Sequence, residues 1–465
     1  MAVKIFNADQ TKELDRYTIE HEPIASIDLM ERASRAFFDW FCLKFLPPQK
    51  IAVVCGTGNN GGDGLAIARM LAEVGYNINV FSIKGEMPES PDFQGNHARL
   101  DSRISKTEIR QASELDIAGF DVLIDAIFGS GLSRPASGLY AEVIKKINAS
   151  SAMVIAVDIP SGLMMDVHSG GEIVEADYTV SFQMPKLAFL MPENEKYVGE
   201  WATVDIKLGS SFIKQIETKY FLVDRRSAAK ILKPRKRFSH KGNYGHALLL
   251  AGSHGKMGAA VLAARGALRA GVGLLTVATP RCGYSILQTA VPEAMVETDS
   301  SELHLSKLPV LNHQSVAIGP GIGKHPETVA LLTELLKLFD RPIVFDADAL
   351  NILAANQNLL EFIPAGSILT PHPKEFERLV GAWQHDFERL EKQQRLAQQL
   401  GSVVVLKGAF TTVAAPNGQV FFNSTGNPGM ATGGSGDVLT GILAGLLAQG
   451  YEPVQAAILG VFLHG

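Results

Sequence analysis

The chain has 465 residues, 46% of them hydrophobic and 20% charged, with a formal net charge of −5. That length is too great for one ordinary core and implies a soluble chain of two domains or more, while the acidic balance gives no global case for nucleic acid. Its three cysteines, Cys42, Cys55 and Cys282, form no CxxC and no metal spacing, which points to a reducing, cytoplasmic setting. The charged start has no apolar signal region, and no apolar run is long enough to span a bilayer.

Residues 8–46 are read as amphipathic helix. Short apolar runs follow at Ile51–Cys55, Ile78–Ile83, Val122–Ile127, Met153–Val157, Tyr178–Phe182 and Ala202–Ile206. Near-continuous apolar strands of this kind suit a buried parallel sheet. Helical stretches fit between them, for example Gly64–Val74 and Leu139–Ile147, giving the βαβ rhythm of a doubly wound fold. Gly56, Gly58 and Gly61 satisfy GxGxxG between a strand and a helix. A dinucleotide site of the redox type also needs an acid closing the second strand, and FSIKGE offers none before Glu86. The polar density of Asn59, Asn60 and Asp63 is the stronger signal, since such side chains can hold a ligand or a hard cation.

Two further loops follow strand ends. IDAIFGSGLSRP places Asp125 at a terminus, with Gly129, Ser130 and Gly131 behind it; VDIPSGL places Asp158, Pro160, Ser161 and Gly162. Any one acid could be a helix cap, but three polar loops at the carboxyl edge of one open sheet make a site. GNNGGDG, DAIFGSG and VDIPSG, in that order, resemble the signature segments of the NAD(P)HX epimerase domain. The resemblance covers about residues 1–210 and implies a Rossmann-like fold that interconverts the R and S hydrates of NADH and NADPH, NADHX and NADPHX. It implies K⁺ held by Asn60, Asp125 and Ser161. The hydrate would touch Asn59, Asn60, Gly61, Gly62 and Asp63, then Gly129, Ser130, Gly131, Leu132, Ser133, Arg134 and Pro135, and Asp158. Inverting C6, a hemiaminal carbon, needs proton transfers at its oxygen and a stabilised cationic ring; Asp158 could serve both.

Residues 209–240 mark the join, with 211–224 read as linker. Arg225 to Lys241 carries eight Lys/Arg and no acid. This is either a solvated linker face or an attractor for a polyphosphate ligand. Alternation then resumes, with strands expected at Ala247–Ala251, Leu274–Ala278, Val316–Ile318, Ile343–Phe345, Ser367–Leu369 and Val403–Leu406, and helices at Ala259–Ala270, Glu327–Leu338 and Val438–Leu447. AIGPGIG, VFDADAL, LTPHPKEFERL and VLKGAFT each follow a strand. Taken singly they have ordinary readings: Gly-Pro-Gly as a turn, His372 as a cap, Lys407 as a surface lysine. Together they favour one cleft. NPGMATGGSGDVLTGILAG, Asn427 to Gly445, sets backbone N–H groups at a helix N-terminus, where they can hold an anion. Asp437 ends the glycine run and could take a proton from a hydroxyl receiving a phosphoryl group.

The GxGD ending resembles the ribokinase-like kinases. With GPGIG, TPHPKEFERL and VLKG it is similar to the NAD(P)HX dehydratase domain, over about residues 225–465. The resemblance implies a ribokinase-like α/β domain that phosphorylates the S hydrate with ADP and Mg²⁺, loses phosphate and restores NAD(P)H, releasing AMP. It implies hydrate contacts at Ala260, Gly321, His372 and Asp437, with Asp437 catalytic. Nucleotide contacts would be Lys407, Gly408, Ala409, Phe410, Thr411 and Gly436. His372-Pro373-Lys374-Glu375 stands where sugar kinases have NxxE, which argues against a sugar kinase. The fold class expected is α/β in two domains, acting without nucleic acid or membrane, as a homo-oligomer. Two other readings stay open: a ribokinase-like small-molecule kinase with an appended domain, and a first half serving only as a binding module.

Overall fold

The computed structural model describes residues 2–47, 49–85 and 88–465, so Glu86 lies outside the described residues. Two compact units form, one built mainly from residues 4–218 and the other mainly from 219–465.

In the first unit the strands are β1 (Lys50–Cys55), β2 (Asn77–Ile83), β3 (Ser105–Ile109), β4 (Val122–Ala126), β5 (Met153–Val157), β6 (Tyr178–Phe182) and β7 (Glu200–Val204). Their order is β3-β2-β1-β4-β5-β6-β7, and every neighbouring pair is parallel. The order reverses between β1 and β4, which opens a crevice at their carboxyl ends. Period-two alternation explains the unbroken apolar runs: Ile51, Val53 and Cys55 enter the core on one face, and Ala52 and Val54 the core on the other. The expected N-terminal helix is two helices, α1 (Ala8–His21) and α2 (Ser26–Lys44), broken around Pro23.

α3 begins at Asn59 and runs to Glu73. Asn59 to Asp63 are therefore helical first turns, and the loop proper is only Gly56–Gly58. The glycines of GxGxxG are used for packing. A Cβ on Gly61 would lie 1.9 Å from the Gly56 carbonyl oxygen, so helix and loop meet there backbone to backbone.

The second unit contains β8 (Tyr220–Val223), β9 (His246–Leu250), β10 (Leu274–Thr279), β11 (Met295–Thr298), β12 (Ser315–Ile318), β13 (Ile343–Phe345), β14 (Ile368–Leu369), β15 (Val403–Leu406), β16 (Thr412–Ala414) and β17 (Val420–Asn423). They run in the order β8-β17-β16-β15-β14-β13-β12-β9-β10-β11, parallel except at β15–β16 and β16–β17. Strand β8 lies in the stretch read as linker; its Tyr-Phe-Leu-Val run pairs with the equally apolar β17. Ala247, Leu249 and Ala251 face one core, Leu248 and Leu250 the other.

Helix α4 (Met257–Arg269) and helix α5 (Ser435–Ala448) are packed almost backbone to backbone. A Cβ on Gly441 would sit 1.8 Å from the Ala263 carbonyl oxygen. The basic stretch closes the far ends of these helices. Lys233 Nζ donates to the Gly450 carbonyl at 2.6 Å, and Arg235 donates to the Gly271 carbonyl with its guanidinium 3.8 Å over the Tyr244 ring. Cations at helix C-termini complement the exposed carbonyls and the dipole. Asp437 lies at the other end of α5, whose 14 residues span ~21 Å at the usual rise. Two of the eight cations, Lys233 and Arg235, thus have a structural role, while residues 232–238 stay exposed to solvent. No described helix is long and apolar enough to cross a membrane.

Two candidate active sites

In the first unit Asp125 ends β4 and is fully buried. Its carboxylate accepts from the Ser161 N–H (2.8 Å), the Ser161 hydroxyl (2.6 Å) and the Ile127 N–H (3.2 Å). Burial pushes it up to about 6, against the pull of those donors. Ser161 Oγ also accepts from the Phe128 N–H at 2.8 Å. Next to Phe128, Gly129 lies against Asn60, and the buried Asn60 amide nitrogen has no partner. The structure therefore gathers Asn60, Asp125 and Ser161. Asn59 and most of Gly131–Pro135 are exposed, along the loop that leaves this group.

Asp158 follows β5 in the left-handed region, at a φ of 67°. Such strain in a non-glycine residue persists only where its surroundings fix it. They do: its carboxylate takes the Phe182 N–H at 3.0 Å and the Lys186 ammonium at 2.9 Å. Lys186 is 2% exposed, and its ammonium also lies 3.3 Å from the Phe182 carbonyl. Burial, then repulsion from Asp158, raises Asp63 well above the usual carboxylate range. The same causes push Asp15, on α1, up to about 6, with Lys186 opposing. Sequence reading missed Lys186 and Asp15. A lysine inside the apolar run MPKLAFLM was the available signal for Lys186. Asp15 carries no such signal, being one charged residue among many on an amphipathic helix.

In the second unit Asp437 lies in the first turn of α5, behind the left-handed N-cap Gly434. It opens on a cavity of about 480 Å³ whose lining includes Lys256, Gly321, Asp348, Glu375 and Gly434. Burial, then the nearby Asp346 and Asp348 charges, push Asp437 up to about 6, against Lys407. Asp346, at the end of β13, is buried; one oxygen takes the Lys407 ammonium at 2.9 Å and the other the Thr440 hydroxyl at 2.7 Å. This pairing sets the Lys407 ammonium against Gly436, 3.3 Å from where a Cβ would stand. Asp348 accepts from the Gly323 N–H at 2.9 Å and the Lys256 ammonium at 3.2 Å.

His372 caps the helix Pro373–Val380, its Nδ1 accepting from the Lys374 N–H at 3.1 Å, while Glu375 returns a bond to the His372 N–H at 2.9 Å. Burial and then the Lys407 charge hold its imidazole below the usual histidine range. Thr411 Oγ1 donates to the Gly408 carbonyl at 2.9 Å, closing the loop that also carries Ala409 and Phe410. Ala260 is fully buried in the core, and its neighbours Gly258 and Ala259 line the cavity instead. Lys256, Asp346, Asp348 and Thr440 complete the group. The two aspartates lie in VFDADAL, at the end of a strand, where the sequence alone gives them no role.

A family model described as NAD(P)H-hydrate dehydratase matches residues 247–465, and one described as YjeF-related protein N-terminus matches residues 26–188. A bifunctional NAD(P)H-hydrate repair enzyme of Moorella thermoacetica is 38% identical, over 99% of this chain and 91% of the relative. The chain belongs to the bifunctional NAD(P)H-hydrate repair enzymes. Members from Thermofilum pendens and Escherichia coli are 36% and 34% identical, over 91% and 88% of their own lengths. A solved ADP/ATP-dependent NAD(P)H-hydrate dehydratase from Bacillus subtilis, co-crystallised with ATP and Mg²⁺, is 35% identical and covers 52% of this chain and 85% of its own, with a TM-score of 0.45. The full-length match to repair enzymes leaves no room for a small-molecule kinase with an unrelated appended domain.

Proposed function

We propose that this chain repairs hydrated NADH and NADPH, epimerising the R and S hydrates in residues 1–210 and dehydrating the S hydrate in residues 225–465, with 211–224 between them. The observation that carries the reading is Asp437: a raised carboxyl at a helix N-terminus, in a cavity, beside a lysine held by a second aspartate.

For dehydration, ADP is the proposed phosphoryl donor. Asp437 takes the proton of the C6 hydroxyl as its oxygen attacks phosphorus, and AMP leaves. Backbone N–H groups at the start of α5, with the Lys407 ammonium beside Gly436, face the charge that develops on the phosphoryl oxygens. The C6–O bond then breaks with the ring nitrogen's electrons, phosphate departs, and loss of a C5 proton restores the dihydropyridine. Loop 407–411 is the proposed seat of the adenine nucleotide. The carboxylates of Asp348 and Glu375 in the cavity wall fit a nucleotide-bound Mg²⁺, which supplies charge neutralisation on the phosphates.

For epimerisation, two carboxyls in unlike settings divide the work. Asp63, whose carboxyl burial raises well above the usual carboxylate range, is the proposed proton donor to the C6 oxygen; Asp158, paired with Lys186, faces the cationic ring. The Asn60 amide turned to present its oxygen, the Asp125 carboxylate and the Ser161 hydroxyl fit K⁺: one carboxylate and two neutral oxygens are too sparse in charge for Ca²⁺, and the partnerless, buried Asn60 amide nitrogen suits that turn. A bound K⁺ supplies a fixed positive charge there. All three cysteines are free thiols, which supports a reducing compartment. The test is Asp437→Asn: dehydration should collapse while epimerisation is untouched, and near-wild-type dehydration removes Asp437 from the base role.

A further inference from the structure

His304, His325 and Glu327 form a side-chain group in the second unit that neither reaction uses. The chain leaves β11 into a loop wound around Asp299, whose carboxylate accepts from the Ser301 N–H (2.8 Å), the Ser306 N–H (2.6 Å), the Ser306 hydroxyl (2.7 Å) and the Lys307 N–H (2.9 Å). With a further bond from the Ser300 hydroxyl at 3.3 Å, five bonds to one buried carboxylate fix this loop and present His304 at its edge. The His304 ring stacks on His325 with centroids 3.8 Å apart. His304 Nε2 is 2.6 Å from Glu327 Oε2, and its Nδ1 is 3.5 Å from Ser301 Oγ. His325 caps the helix Pro326–Leu338; its Nδ1 lies 3.4 Å from the Glu327 N–H and 3.9 Å from Glu327 Oε2. One ligand atom from each residue falls within 4.8 Å of the other two.

A histidine–glutamate hydrogen bond accounts for two of the three groups. It leaves the other imidazole, stacked on the first with its Nδ1 turned to the same carboxylate, without a purpose beyond a weak helix cap. We propose that His304, His325 and Glu327 form a site for a borderline divalent cation of the Zn²⁺ class, which clamps the exit loop of β11 to the N-terminus of the helix Pro326–Leu338. Two imidazoles and a carboxylate suit Zn²⁺ and its neighbours over Mg²⁺ or Ca²⁺, which prefer all-oxygen shells. Metal–ligand bonds of about 2.0–2.2 Å on a tetrahedron set donor atoms roughly 3.4 Å apart. The 2.6 Å pair must therefore open and the 3.9 Å pair close by less than an ångström each, and the two stacked rings, 27° from parallel, must turn so that their nitrogens converge on one ion. Water would fill the fourth position. The Ser301 hydroxyl at His304 Nδ1 is the outer-shell partner that orients a ligating imidazole. The clamp is a structural one: the turn Gly319–Gly323, whose Gly321 lines the dehydratase cavity, leads directly into His325.

The test uses the full chain stripped with a chelator and titrated with Zn²⁺ against a competing chromophoric indicator, alongside thermal melts. Wild type should take up Zn²⁺ and melt higher with it, and excess Mg²⁺ should not compete. His304→Ala, and His325→Asn, which keeps a capping side chain, should each lose one equivalent or weaken it by at least about tenfold. Glu327→Gln, which keeps the side-chain shape, should do the same if His304→Ala fails to fold. Unchanged Zn²⁺ uptake in these variants, no uptake by wild type, or equal displacement by Mg²⁺ would each overturn the proposal.

Discussion

In the proposed base role Asp437 must be ionised to accept a proton, yet burial and two neighbouring aspartates push it up to about 6. The sign of the pH dependence follows. Below pH 6 the carboxyl is protonated and cannot act as base, so dehydration should climb between pH 5 and 7 and level off above, in steady-state assays of the S hydrate. Asp437→Asn should lower the rate by roughly 10²–10⁴-fold, the range for a positioned acid–base group, and erase that limb. A variant that keeps the limb would assign it to another group. In the first unit, Lys186 and Asp158 form a buried ion pair. Lys186→Met strands the carboxylate, which should cost about 3–5 kcal/mol in urea melts of that unit and abolish epimerisation while dehydration persists. A cost below about 1 kcal/mol would mean that Asp158 is not held by this lysine. Asp125, Asp158 and Asp437 were legible because each stands at the end of a strand or a glycine run, and Ser161 because it lies in the loop after Asp158. Lys186 and Asp15 were not, because their role arises only when β6 and α1 converge on Asp158, and convergence leaves no local pattern.

Among the elements, strands buried on both faces were legible to within a residue or two, since β1, β4, β5 and β9 read as near-continuous apolar runs. Apart from β7, expected at Ala202–Ile206 and found at Glu200–Val204, the edge and hairpin strands were not. Strand β3 is the polar SKTEI, buried only at Ile109, and β16 and β17 are too short to show a period. The basic stretch was opaque for a related reason: its partners are carbonyls at helix ends, which have no side-chain signature. Arg235→Ala should therefore destabilise the second unit by about 0.3–1 kcal/mol with no change in nucleotide KM. A raised KM with unchanged stability would return the stretch to a ligand-steering role. Packing of α4 on α5 is less forgiving. Gly441→Ala drives a methyl into the Ala263 carbonyl, and the expected loss is about 1–3 kcal/mol or more by chemical denaturation. Free tolerance of that alanine would contradict the close approach.

At the scale of the whole molecule, two buried-carboxylate sites sit on one chain, and their chemistries are consecutive. If, as proposed, the dehydration consumes only the S hydrate, the epimerisation decides whether repair goes to completion. The separate stretches matched by the two family models and the separate cores of the two units support independent sites, each losing one activity when its own carboxylate is changed. The most direct measurement is therefore one progress curve. A mixture of R and S NADHX, in a buffer containing K⁺, is incubated with the protein, ADP and Mg²⁺, and NADH return is followed by absorbance with the epimers resolved by chromatography. Both epimers should disappear with full recovery of NADH, whereas Asp437→Asn should equilibrate the epimers and return almost none. Consumption of the S epimer alone, at any length of incubation, would contradict the account of the first site.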